Sequence, residues 1–167
     1  MTDSGIGEED PPDSESTFRQ GQLVLEIPAR TEFVSLVRVV VAAAAEIEPD
    51  MDSDRIDDLR VAVSEATTNA IEAHGLSGSL DRIRIQCNLA DDEISVVVHD
   101  EGVGFDPEEL PELPDPASPE RLEYESGLGV HLMRMLADES EVSSTDEGTD
   151  VKLVVYSSKR RREGRLR

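Results

Sequence analysis

The chain has little of what many function classes require. It holds one cysteine, no tryptophan and only 3% aromatic residues. The lone Cys87 excludes an internal disulfide framework and a cysteine-rich zinc site. Basic residues are also few: 16 Lys and Arg stand against 38 Asp and Glu, a formal charge of −22. Such a surface repels phosphates, so direct nucleic-acid binding is not expected. No run of about 18 apolar residues occurs. The longest, Val39–Ala45, follows Arg38 and is far too short to cross a bilayer. The opening residues are acidic and polar, without a basic start or an apolar stretch, so no secretory signal is read and a cytoplasmic protein is expected.

What remains, in 167 residues, suits one domain with tails. Residues 1–22 carry six acids and one Arg and almost nothing apolar, and read as an acidic disordered tail. Residues 23–157 read as the folded domain. Residues 158–167 form a basic tail of net charge +5. This tail reads either as a solvated end or as a segment gripping an acidic surface, a partner's or the protein's own. The acidic body itself serves solubility or meets a partner with a basic face.

Periodicity divides the domain. Leu23, Leu25 and Ile27 alternate along a strand that Pro28 stops. Thr31 is placed to cap a helix running to about Ile47, with Phe33, Val37, Val40, Ala44 and Ile47 on one stripe. Ser53 or Asp54 is placed to cap a second helix, whose stripe is Ile56, Leu59, Val63, Ala66, Ala70 and Ala73. Gly75 then stands where a left-handed C-cap is expected. Two alternating strands follow, Ile83–Leu89 and Ile94–Val98, with Asp91-Asp92 as the turn. Residues 101–125 have net charge −8 and no periodicity, as in a lid. A third helix opens at Gly127-Leu128-Gly129 and runs to about Ala137, with Leu132, Met133, Met135 and Leu136 as core candidates. Strands near 140–146 and 150–156 close the domain around a turn at Glu147-Gly148. This order predicts an α/β two-layer sandwich: a mixed, mostly antiparallel sheet with helices on one face.

Three segments carry chemistry. In Ser64-Glu65-Ala66-Thr67-Thr68-Asn69-Ala70-Ile71, Glu65 and Asn69 are four apart and share a helix face. A carboxylate there can act as a general base, and an amide oxygen one turn on is a hard ligand for Mg²⁺. In Asp100-Glu101-Gly102-Val103-Gly104, a strand-end carboxylate can accept a hydrogen bond from an exocyclic amine while the glycines admit a flat ring. In Ser126-Gly127-Leu128-Gly129, backbone N–H groups at a helix start suit phosphate. Against each stands a plain alternative: a solvated helix face, a glycine turn, a hinge. His74 is expected to favour the dipole at the end of the second helix. His131 reads as an ordinary helix residue, and Cys87 as buried and inert.

In this order the three segments resemble the ATP-binding boxes of the GHKL superfamily of gyrase, heat-shock chaperone, histidine-kinase and mismatch-repair ATPases. The Ser-Glu-Ala-Thr-Thr-Asn-Ala-Ile run and the stand-alone size are most similar to the anti-sigma factor serine/threonine kinases. Glu147-Gly148-Thr149-Asp150-Val151-Lys152-Leu153 is similar to that family's last box. The resemblance implies Glu65 as the base toward a target hydroxyl and Asn69 as the ligand of Mg²⁺ on ATP. It implies Asp100 on the adenine amino group, with Thr149 supporting it through a water. It further implies Gly102 and Gly104 beside the adenine and ribose, and Ser126, Gly127, Leu128 and Gly129 at the phosphates. Its partners would be a sigma factor, a small antagonist phosphorylated on Ser or Thr, and a second copy of the chain in a homodimer. One position departs: some related kinases carry Arg just before the Ser-Gly pair, where this chain has Glu125. Arg121 is the only cation in the lid. A nucleotide-gated binding module without phosphoryl transfer is therefore the competing reading, and a plain acidic interaction protein a third.

Overall fold

Alternating apolar residues build five strands, and these form one sheet in the order β1-β2-β3-β5-β4, every pair antiparallel. The computed structural model describes residues 21–77, 82–102, 128–145 and 147–164. The strands are β1 (Gly21–Pro28), β2 (Arg82–Ala90), β3 (Glu93–Asp100), β4 (Glu139–Thr145) and β5 (Gly148–Tyr156). The helices are α1 (Val34–Ala45), α2 (Ser53–Ser77), α3 (Leu128–Leu136) and α4 (Ser158–Gly164). Most of the expected lid, with Gly104, Arg121, Glu125, Ser126 and Gly127, lies outside the described residues.

Register puts one side chain in two from each central strand onto the same face. Ile85, Val98 and Val151 align across β2, β3 and β5, as do Cys87, Val96 and Leu153. All six are buried against α1 and α2. From α2 come Leu59, Ala62, Val63, Ala66 and Ala70, and from α1 Val37, Val41 and Ala45. Each large aliphatic side chain removed from water contributes about 1.5–3 kcal/mol. The alanines let α2 approach the sheet closely.

The helix boundaries differ from expectation for physical reasons. Thr31 makes no cap; Thr31–Phe33 forms a 3₁₀ turn that feeds α1 without a side-chain cap bond. Ile47 lies beyond α1 and is exposed. The cap of α2 is Asp52, whose Oδ1 accepts the Arg55 N–H at 3.1 Å, rather than Ser53 or Asp54. Gly75 does not end α2, which continues to Ser77. Met133 is buried, but Met135 is 76% exposed and is no core residue. At the β2–β3 turn, Asp92 adopts a positive φ of 65°, a conformation Asp tolerates better than most residues.

Within the basic C-terminal segment, Ser158–Gly164 form the helix α4, which buries no residue. Residues of α4 pair with the body's acids: Lys159 with Asp92, Arg160 with Glu93 and Arg161 with Asp138. Arg160 also lies over the Tyr156 ring, 3.8 Å from its centre.

Candidate nucleotide site

Glu65, Asn69 and Ala73 are spaced four apart, so they line one face of α2. Three successive turns of this helix serve two parts of the site. Glu65 and Asn69 meet the start of α3: a Cβ on Gly129 would lie 2.8 Å from Glu65 Oε2 and 3.5 Å from Asn69 Oδ1. Glycine leaves the Glu65 tip where it stands, whereas the Asn69 distance is an ordinary contact. Ala73 meets the turn after β3: a Cβ on Gly102 would lie 2.7 Å from the Ala73 carbonyl carbon. The structure thus brings Glu65, Asn69 and Gly129 together, with Leu128 partly exposed at the helix start.

The second half of the site is built at the end of β3. Asp100 is buried there, directly across from Thr149 on β5. The Gly102 N–H donates to Asp100 Oδ1 at 2.8 Å. Burial pushes the Asp100 carboxyl above its usual range, although the Gly102 bond and the nearby His74 and His99 pull the other way. Thr149 Oγ1 lies 3.2 Å from Ser144 Oγ on β4. Gly148 packs its α-carbon against the Asp100 carbonyl with φ of +136°, which fixes the β5 start beside the acid.

His74 lies in the last turn of α2, at the helix end where it was expected. It is buried, and its Nε2 accepts the Glu101 N–H at 3.3 Å, which ties α2 to the turn after Asp100. Ser144 is the residue that the sequence did not single out; alternation in β4, which points it to the same side as Val142, could have found it. For His74 the sequence indicated the helix end but not its bond to the turn after Asp100.

The residues fit a nucleotide and its cation. The gap kept open by Gly129 is faced by one carboxylate and one amide, a hard-oxygen pair of the kind Mg²⁺ accepts beside phosphate oxygens. A buried acid at a strand end, beside a glycine turn, is an acceptor for an amino-bearing ring. Glu65 also borders a groove of about 600 Å³ between α1 and α2, lined by Arg38, Val39, Ala43, Arg60 and Val61 among others. Glu65 thus neighbours both the start of α3 and this groove.

This layout of sheet, helices and converging polar groups is that of an ATPase domain, and the family described as histidine kinase-like ATPase domain matches residues 27–155. The serine-protein kinase RsbW of Bacillus licheniformis is 31% identical over 141 residues, covering 82% of this chain and 86% of the relative. The protein of the same name from Bacillus cereus is 31% identical over 138 residues, covering 81% and 84%. The chain therefore belongs to the histidine kinase-like ATPase family and, within it, to the RsbW family of serine-protein kinases. The fold agrees: the crystal structure of the RsbU and RsbW domains of Rv1364c from Mycobacterium tuberculosis superposes with a TM-score of 0.60 at 22% identity. That match covers 82% of this chain but only 32% of the larger structure.

Proposed function

We propose that this chain is an ATP-dependent protein serine/threonine kinase that sequesters a sigma factor and phosphorylates a small antagonist protein on Ser or Thr. The observation that carries the reading is the convergence of Glu65 and Asn69 on Gly129. Glu65 serves as the base that takes the proton of the target hydroxyl. Asn69 holds Mg²⁺ through its amide oxygen. Leu128 and Gly129, with Ser126 and Gly127 before them, offer backbone N–H groups to the phosphates. Asp100, supported by Thr149, accepts from the adenine amino group, and Gly102 and Gly104 flank the ring. Bound Mg-ATP supplies the phosphoryl group and neutralises part of its own charge.

Glu65 borders both the glycine end of α3 and the α1–α2 groove, and this supports access for a hydroxyl from another protein. The net charge of −22 favours a partner with a basic face, as a promoter-binding sigma factor presents. We place the protein in the cytoplasm and working as a homodimer. Among the described residues no helix is long and apolar enough to cross a membrane.

The test is a pull-down from native lysate, once with Mg-ATP and once with Mg-ADP, with phosphosites mapped by mass spectrometry. Expected are a sigma factor in the ATP arm and an antagonist carrying phosphoserine or phosphothreonine that Glu65→Ala does not produce. Identical, unphosphorylated captures in both arms would leave a fold without the chemistry. Nucleotide-dependent capture without phosphate transfer would instead favour the gated binding module, for which Glu125 is the motive.

A further inference from the structure

The nucleotide side is assembled at one end of α3, and a charged joint holds the other end. Asp138 lies two residues past α3, its side chain only 11% exposed. One oxygen, Oδ2, takes the Arg55 guanidinium and the Tyr156 N–H, the latter at 2.8 Å. The other, Oδ1, takes Arg161 Nε at 3.1 Å. Arg55, itself buried in the first turn of α2, also donates to the Leu136 carbonyl at 3.4 Å. A cation thus caps the carbonyl end of α3, where the helix dipole favours positive charge.

The two ends of α3 are therefore both referred to α2. Arg55 takes the C-terminal end, and Glu65 and Asn69 meet the N-terminal end at Gly129. At about 1.5 Å per residue, α3 is a rod little more than ~13 Å long. Asp138 and Gly129 thus lie near opposite ends of one short helix. The two cations on Asp138 among the described residues differ in kind: Arg55 is buried, whereas Arg161 arrives from α4 and is partly exposed. Of the other α4 pairs, Lys159–Asp92 holds the β2–β3 turn and does not touch the joint, whereas Arg160 pairs with Glu93 and also lies over Tyr156.

We propose that the C-terminal helix α4 is a positioning element for the nucleotide site, acting through Arg161 on Asp138 and so on the seating of α3. The proposal rests on the reading of Gly129 as the phosphate-facing end. Arg161 touches no substrate; it neutralises the second oxygen of a largely buried acid and so fixes the side on which Asp138 sits. Losing it leaves that acid with one cation and lets α3 slide or tilt.

The test uses the full chain and three variants: Arg161→Ala, Arg161→Lys and Lys159→Ala. Mg-ATP affinity is measured by calorimetry, and amide hydrogen exchange is followed by peptide. Expected for Arg161→Ala is binding weaker by about 3- to 10-fold, with faster exchange confined to Leu128–Leu136 and little change in Tm. Arg161→Lys should recover most of both, and Lys159→Ala should leave both as in wild type. Wild-type affinity and unchanged α3 exchange in Arg161→Ala would overturn the proposal. So would a uniform rise in exchange across α2 and the sheet, which marks a structural role only. If the wild type itself binds no Mg-ATP, the nucleotide reading falls instead, and the exchange pattern alone decides whether Arg161 seats α3.

Discussion

Gly129 stands so close to Glu65 that a methyl group on its α-carbon would lie 2.8 Å from Glu65 Oε2. The contact joins the start of α3 to the middle of α2 and sets where the carboxylate points. The atom in the way is the tip of a flexible side chain, so Gly129→Ala should move Glu65 rather than unfold the protein. Alanine is also the better helix former by about 1 kcal/mol. Expected is an unchanged or slightly raised Tm, with phosphoryl transfer to the substrate protein slowed by about 100-fold, the usual effect of ~1 Å of misplacement. A thermal melt beside a radiolabel transfer assay checks both, and retained transfer would remove Glu65 from the role of base.

Much of this was legible in the chain because the signals were local. Alternation at Ile83–Leu89 and Ile94–Val98 yields strands whatever they pair with, and the spacing of Glu65 and Asn69 puts them on one face of any helix. Gly129 could be placed at a helix start for the same reason. Gly75 misled because an exposed helix position with open space around it accepts glycine at a modest cost, so no chain break follows. Asp52 was missed as the cap because three capping residues, Asp52, Ser53 and Asp54, stand in a row. The basic end was ambiguous for a long-range reason. The acids it meets, Asp92, Glu93 and Asp138, come together only once the sheet is formed.

Gly148→Ala should behave unlike Gly129→Ala. Its added Cβ would fall 1.9 Å from the Asp100 carbonyl oxygen, and φ is +136°. Backbone is in the way, and no side-chain rotation relieves it. A loss of about 2–4 kcal/mol is expected, together with weaker nucleotide binding as Asp100 is displaced. Chemical denaturation with a parallel ATP titration reads both effects. Wild-type stability would mean that the β5 start can shift away from Asp100.

Cys87 lies in the middle of β2 with no exposed surface, and burial pushes its thiol up to about 11. The reactive thiolate is therefore both rare and shielded at neutral pH. The folded protein should resist a thiol reagent, and one equivalent should react in denaturant. The slow native rate should track global unfolding as denaturant is added below the transition. Rapid native labelling would show that β2 opens locally.

Asp100 gives a pH dependence in which binding and stability move in opposite directions. Burial raises its pKa above the unfolded value, so in the window between the two the folded state holds the proton more tightly. Stability then falls as pH rises through that window, and above it the full cost of a buried charge is present. Asp100→Asn removes the charge and keeps an acceptor for the Gly102 N–H. The variant should therefore be more stable than wild type near neutral pH, and the gap should narrow as pH falls through the raised pKa. Binding runs the other way, because the carboxylate is the stronger acceptor for an amino group. Losing a charged hydrogen bond of about 1.5–3 kcal/mol weakens nucleotide affinity by roughly 10- to 100-fold at neutral pH. On acidification wild type should lose affinity toward the variant, because protonation removes the charge that sets them apart. Denaturation and ADP calorimetry on both proteins across the same buffers decide it, since titration of the nucleotide's own phosphates cancels in the comparison. Parallel pH profiles for wild type and variant would mean that Asp100 does not titrate in the folded protein over that range.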